Sequence, residues 1–257
     1  MNMTTGETEL LKPGPASRRR VEWSASLGIP LAVFILCLVV EFQASPRLTS
    51  EAGRAALLSL LAGLFQVLVV VSIVPWWSAG LLGRNSFGTL IAALRVVTMT
   101  VSTTVLLLLL ASLEGGGSYT GTLKVQVVVL GVGLLAAGVA GGLRLVLRST
   151  SAAGLLTMLL GYLALGSPFW GNTLVQAASE TYKSLAVDLV VALSPMSACS
   201  SAVGYDLFRG RMLYTLSVVS DYRYELPSWW AYGLFTGIAG LALIVTVTSV
   251  SRRLRRR

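Results

Sequence analysis

The chain has 257 residues, 54% of them hydrophobic and only 12% charged, with a mean hydropathy of +0.76 and a formal net charge of +9. Soluble domains carry roughly 25% charged residues, so this composition excludes a soluble enzyme, a disordered chain and a nucleic-acid module, despite the basic balance. Apolar runs of roughly 20 residues become the natural unit, and the chain reads as an all-α, polytopic integral membrane protein. It contains no histidine, which removes zinc sites of the usual His type and Ser–His or Cys–His nucleophile pairs. The cysteines, Cys37 and Cys199, are far apart in the sequence. They suggest neither a metal site nor a disulfide framework.

Residues 1–22 are polar, contain Pro13-Gly14-Pro15 and Arg18-Arg19-Arg20, and read as a basic cytoplasmic segment. The apolar run 23–42 is long enough to span, and Glu41-Phe42-Gln43 is a poor cleavage site, so it is expected to be an uncleaved first span that tolerates Pro30. Further runs follow at 55–77 (ending in Pro75-Trp76-Trp77), 96–113, 125–143, 152–170 and 229–250, with a reversal at Gly115-Gly116-Gly117. This gives a six-span domain over 23–250 and a basic segment over 251–257.

Six spans place both termini on one side, and charge chooses the side. With the N-terminus inside, the inner segments hold 13 of the 20 basic residues and only Glu7, Glu9 and Glu22 as acids. The lysine and arginine bias is thus nearly two to one inward, a topology signal and a contact with anionic lipid. Residues 171–228 form a long outer segment whose part 185–193 is apolar apart from Asp188. A seventh span there would put the arginines of 251–257 outside. Re-entrant or interfacial helices between the fifth and sixth spans fit the bias better.

Catalytic chemistry finds little support. Gly116-Gly117-Ser118-Tyr119-Thr120-Gly121-Thr122 lacks the phosphate-loop lysine. Asp188, Asp206 and Asp221 all fall in the outer segment, so paired intramembrane carboxylates are missing. Gln66 and Glu41 are the nearest polar groups to mid-span. No catalytic residue, cofactor or metal is expected. The outer Tyr205, Tyr214, Tyr222, Tyr224, Trp229 and Trp230 suit an interfacial aromatic belt better than a sugar platform. Gly138-x-x-x-Gly142 and Gly233-x-x-x-Gly237 would let helices approach closely, either within the chain or, less simply, between subunits.

Between the second and third spans, small residues lead from Trp77 into a polar turn with Arg84 and Asn85. This predicts a short amphipathic surface element in which Phe87 and Leu90, three apart, share a face. Here the chain resembles the membrane subunits of type-2 ATP-binding-cassette exporters. These have about 250 residues, six spans and a coupling segment like Glu-Arg-x-x-Gly-Thr-Leu-Glu after the second span. Gly88, Thr89 and Leu90 agree with that pattern; Arg84 stands one position further from the glycine, and Ile91 replaces the second glutamate. Leu193-Ser194-Pro195 resembles the family's Leu-Asn-Pro element. The resemblance implies a permease in the cell (inner) membrane, dimerising as homo- or heterodimer and seated on a separate cytoplasmic ATPase. Arg84, Asn85, Phe87, Gly88, Thr89 and Leu90 would be the contact, and Leu193, Ser194 and Pro195 an outer hairpin. The alternative is a non-transporting structural subunit that anchors a larger complex.

Overall fold

The computed structural model describes residues 51–85, 87–113, 119–206 and 222–256. The basic segment 1–22, the expected first span 23–42 and the glycine reversal at 115–117 lie outside these residues. Four long helices carry the fold: α1 (Glu51–Arg84), α2 (Gly88–Leu113), α3 (Tyr119–Leu147) and, last in the chain, α9 (Trp229–Arg256). Between them come α4 (Thr150–Leu165), the short α5 (Ser167–Trp170) and α6 (Asn172–Ala177), a 3-10 turn at Glu180–Tyr182, α7 (Lys183–Leu193) and α8 (Pro195–Val203). Strands are absent among the described residues.

The stretches Ala56–Leu82, Gly88–Leu109, Tyr119–Leu147 and Trp229–Leu254 are each long and apolar enough to cross a membrane, and the bent pair Glu180–Leu193 with Pro195–Val203 would make a fifth crossing if counted as one. The chain is a multi-pass helical membrane protein. At ~1.5 Å per residue the shortest of these stretches already exceeds the roughly 30 Å hydrocarbon core. Helix is the only open-chain solution at that depth, because every backbone group must be satisfied within its own segment.

Helix α3 is the hub. It packs on α9 most extensively, then on α1, α2, α4 and α8, and 67% of its apolar window is buried against 33–44% for the other three. Contact order sets the directions. Ser59 meets Thr122 and Ser78 meets Ala137, so α1 runs parallel to α3. Gly131 lies on Gly233 and Gly138 on Gly240, so α9 is parallel too. Helices α2 and α4 run the other way: Thr89 lies by Gly141 while Val96 lies by Gly133, and Trp76 faces Gly154 while Val71 faces Gly161.

The helices depart from the expected boundaries: α2 starts at Gly88, before 96, α3 extends beyond 125–143 at both ends, and two further departures bear on packing. Helix α1 does not end at Pro75-Trp76-Trp77 but continues through Pro75 to Arg84. A membrane helix tolerates the lost donor when neighbours cover the freed carbonyl. Trp76 seats its ring on Gly154 of α4 and Trp77 joins the edge of the core, so neither ends the helix. The run expected as the fifth span, 152–170, does not form one long crossing helix. Helix α4 has 16 residues and stops at Gly166, before Pro168 opens α5. Its start is tight: Arg148 adopts a left-handed φ of 53°, and Ser149 caps the helix by accepting a hydrogen bond from the Ala152 amide at 3.3 Å.

The two ends of the bundle differ in charge. The end formed by the α1–α2 turn, the α3–α4 corner and the close of α9 carries Arg84, Arg95, Arg144, Arg148, Arg252, Arg253, Arg255 and Arg256. No acid stands there among the described residues. Glu51, Glu180, Asp188, Asp206 and Glu225 all belong to the opposite end.

Candidate functional site

The α1–α2 turn is built around one glycine. The Asn85 amide donates to the Leu81 carbonyl and the Gly88 amide to the Asn85 carbonyl, each at 2.9 Å, while the Asn85 side-chain oxygen accepts from the Phe87 amide at 3.1 Å. This is the local side-chain-to-backbone bonding that makes asparagine a turn residue. A Cβ at Gly88 would collide with the backbone of Leu81 and Leu82, so only glycine lets α2 start this close to α1. The separate amphipathic element expected here does not exist: its residues before Asn85 belong to α1, which closes at Arg84. Gly80 and Gly83 weaken this stretch without ending it, and the helix stops where Asn85 offers its side chain to the backbone.

Thr89 is fully buried, packed on Gly141 of α3 and close to Val247 of α9, and its hydroxyl has no partner among the described residues. Asn85, Phe87 and Leu90 are exposed, Leu90 to 51%. The Arg252 guanidinium lies over the Phe87 ring, 4.0 Å from its centroid, and ties the end of α9 to the turn. Arg95 similarly stands over Trp77 at 5.7 Å. The sequence holds no signal for the Arg252–Phe87 pair, because only folding brings the last helix to the first turn.

At the opposite end, Leu193, Ser194 and Pro195 form the break between α7 and α8, which are bent by 79°. Ser194 is fully buried; its hydroxyl donates to the Leu165 carbonyl and accepts from the Met196 amide, both at 3.2 Å. The Tyr232 hydroxyl of α9 donates to the Leu193 carbonyl at 3.2 Å, and the Ser167 hydroxyl to the Val190 carbonyl at 2.8 Å. Three elements, α4, α5 and α9, thus hold the bend, and Pro195 faces a cavity of about 150 Å³ against α3. Helix α8 then lies on α1 and α3 through Ala198, Cys199 and Ala202. It ends at Gly204, whose φ of 69° is the left-handed cap that glycine accepts without strain. An ion pair, Lys183 to Glu180 at 2.5 Å, marks the start of α7.

The glycines split unequally. A Cβ at Gly138 would stand 2.7 Å from Leu243 Cβ, and one at Gly233 would stand 2.8 Å from Val127 Cγ1. At Gly142 and Gly237 the nearest atoms are 3.9 and 3.8 Å away, ordinary contact distances. The close partners of Gly138 and Gly233 are Gly131 and Gly240, where a Cβ would come within 2.5 Å of Gly233 O and of the Leu134 carbonyl carbon. The seam therefore repeats every seven residues within this one chain, the period of a shallow left-handed crossing. Gln126 donates to Gln66 at 2.6 Å between α3 and α1, both buried. No group of metal-ligating side chains occurs among the described residues.

No family model, curated protein or solved structure matches this chain.

Proposed function

We propose that the chain is the membrane-spanning permease subunit of a type-2 ATP-binding-cassette exporter in the cell membrane, dimerising and driven by a separate cytoplasmic ATPase. The observation that carries this reading is the α1–α2 turn. Asn85, Phe87 and Leu90 are presented on a glycine-seated corner at the arginine-rich end. Arginine bias assigns that end to the cytoplasm. Thr89 connects the same corner to α3 and α9, so force applied there reaches the hub helix directly. Six spans with both termini inside belong to this reading, as does the resemblance of 88–90 and 193–195 to the family motifs.

In this account the chain performs no hydrolysis. It receives movement at the corner, transmits it through α3, and alters the bend at Ser194 on the outer face, where substrate leaves. The test is a gentle-detergent pull-down of the full chain with mass spectrometry of what remains bound. A stoichiometric partner carrying a phosphate-loop lysine is the expected result; its absence would overturn the reading. The second reading, a non-transporting structural subunit, is favoured by one specific feature: the corner carries no acid, Ile91 standing where the family has its second glutamate. Recovery of other membrane or periplasmic subunits and no ATPase would support it.

A further inference from the structure

The cavity of about 150 Å³ lies against the middle of α3, with Leu135 and Val139 as its floor, Leu160 and Gly161 of α4 on one side, Tyr232 of α9 on the other, and Pro195 at its head. Helices α4 and α9 both pack on α3 but not along one another. Leu160 is 48% exposed, so the hollow opens sideways between them. Its polar groups are already engaged: the Thr157 hydroxyl donates to the Ala153 carbonyl at 2.8 Å, and the Tyr232 hydroxyl donates to Leu193. An ordered water needs 2–4 polar partners, whereas an apolar hollow of ~150 Å³ stays dry and accepts a guest of about benzene's size. The chemistry of the hollow is that of hydrocarbon.

Charge identifies what the hydrocarbon belongs to. The groove's floor and walls run toward the arginine-rich end, where Arg148 at the α3–α4 corner and Arg253 near the end of α9 are both exposed. The nine positions from Val139 to Arg148 correspond to about 13 Å of helix, so the near part of the cavity lies within the roughly 15 Å half-thickness of the hydrocarbon core, while its lining continues past that depth to Val132. A headgroup at the arginines therefore leaves the end of its chain at the cavity. With no acid at this end among the described residues, the complementary headgroup is anionic.

We propose that the groove between α4 and α9 is a lateral binding site for one alkyl chain of an anionic membrane amphiphile. Arg148 and Arg253 hold its headgroup, and the chain end fills the cavity beneath Pro195. The site stands on the groove alone and requires neither transport nor an ATPase. Because Tyr232 both lines the cavity and holds Leu193, an occupant bears directly on the bend between α7 and α8.

The experiment uses the full chain in phosphatidylcholine nanodiscs containing trace phosphatidylglycerol with a diazirine at the end of one acyl chain. After irradiation, peptide mass spectrometry should place adducts on 132–139, 157–164 and Tyr232 about fivefold above those on Leu94, Val101 and Val105 of α2. A phosphatidylcholine probe with the same diazirine should label the groove at least about fivefold less, since each arginine near the surface contributes about fivefold in affinity. Arg148→Gln with Arg253→Gln should erase that headgroup difference. Ala136→Phe, which fills the cavity from α3, should deplete groove adducts and leave those on α2 unchanged. Should that variant not fold, displacement of the probe from the unaltered protein by unlabelled phosphatidylglycerol, but not phosphatidylcholine, serves instead. Even labelling of α2 and groove, equal labelling by both headgroups, or a groove left unlabelled because run 23–42 or a second copy covers it would each overturn the proposal.

Discussion

Helix α3 is gripped differently on its two sides. Toward α9 the helices approach backbone to backbone: Gly131 and Gly138 face Gly233 and Gly240, with Val127, Thr236 and Leu243 closing over the same glycines. Toward α1 a valine-rich contact is stitched by polar side chains spaced along the helices: Ser59 with Thr122 at 3.1 Å, Gln66 with Gln126 at 2.6 Å, and Ser78 with the Ala137 carbonyl at 2.6 Å. Lipid tails are as apolar as leucine, so burial of apolar surface drives neither contact; close packing and hydrogen bonds must. The glycine seam draws on dispersion, of which a gap of about 0.5–1 Å forfeits a quarter to a half. The polar seam draws on bonds that can break and re-form. The α3–α9 pair is therefore the fixed unit of the molecule, and α1, which carries the exposed corner at Asn85, is attached to it by the more adjustable seam.

The sharpest way to break this contrast is to insert methyl groups into the glycine seam. Gly138→Ala should cost about 1–3 kcal/mol, the range for overpacking, while Gly142→Ala, with its nearest neighbour at 3.9 Å, should stay within about 0.5 kcal/mol. Thermal unfolding in detergent, followed by size-exclusion fluorescence, reads both. Equal effects would mean that the seam follows the four-residue spacing after all. Removal of a polar partner comes next. Gln126→Leu leaves the buried Gln66 amide alone and should destabilise by about 1–2 kcal/mol. A double-mutant cycle with Gln66→Leu should recover a coupling of roughly 0.6 kcal/mol, the average for such bonds in a membrane protein. A coupling of zero would remove the polar seam from the account. The smallest effect belongs to the latch between the turn and α9: Phe87→Leu or Arg252→Gln should cost about 0.5–1 kcal/mol. The two substitutions together should cost no more than the larger single one, as a shared contact requires.

Much of the scaffold was legible in the primary structure because hydrophobic run length is a strong signal. Four of the long helices stand where apolar runs predict them, and the bend at Leu193-Ser194-Pro195 falls where proline follows a short polar break. What was not legible depended on neighbours. The end of α1 is hidden because Pro75 stops helices in water, whereas here α1 continues through it with its tryptophans seated on other helices. The glycine spacing misleads for a related reason. Gly142 and Gly237 complete a familiar four-residue motif, but the partner helix follows the seven-residue set of Gly131, Gly138, Gly233 and Gly240. At the candidate site the turn residues could be read from Asn85 and Gly88. The burial of Thr89 and the stacking of Arg252 on Phe87 could not, because both depend on α9 reaching the first turn.

If the corner at Asn85–Leu90 receives a cytoplasmic ATPase, as proposed, position 90 will touch it. A photoreactive amino acid in place of Leu90, whose side chain is 51% exposed, can be activated in membranes of cells that express the full chain. One dominant cross-link is expected, to a protein with a phosphate-loop lysine, lost when Gly88→Val drives a side chain into the backbone of Leu81 and Leu82 and displaces the turn, and retained when Leu189 at the opposite end is changed to alanine. Cross-links to lipid alone, or to a subunit without a nucleotide cradle, would contradict it.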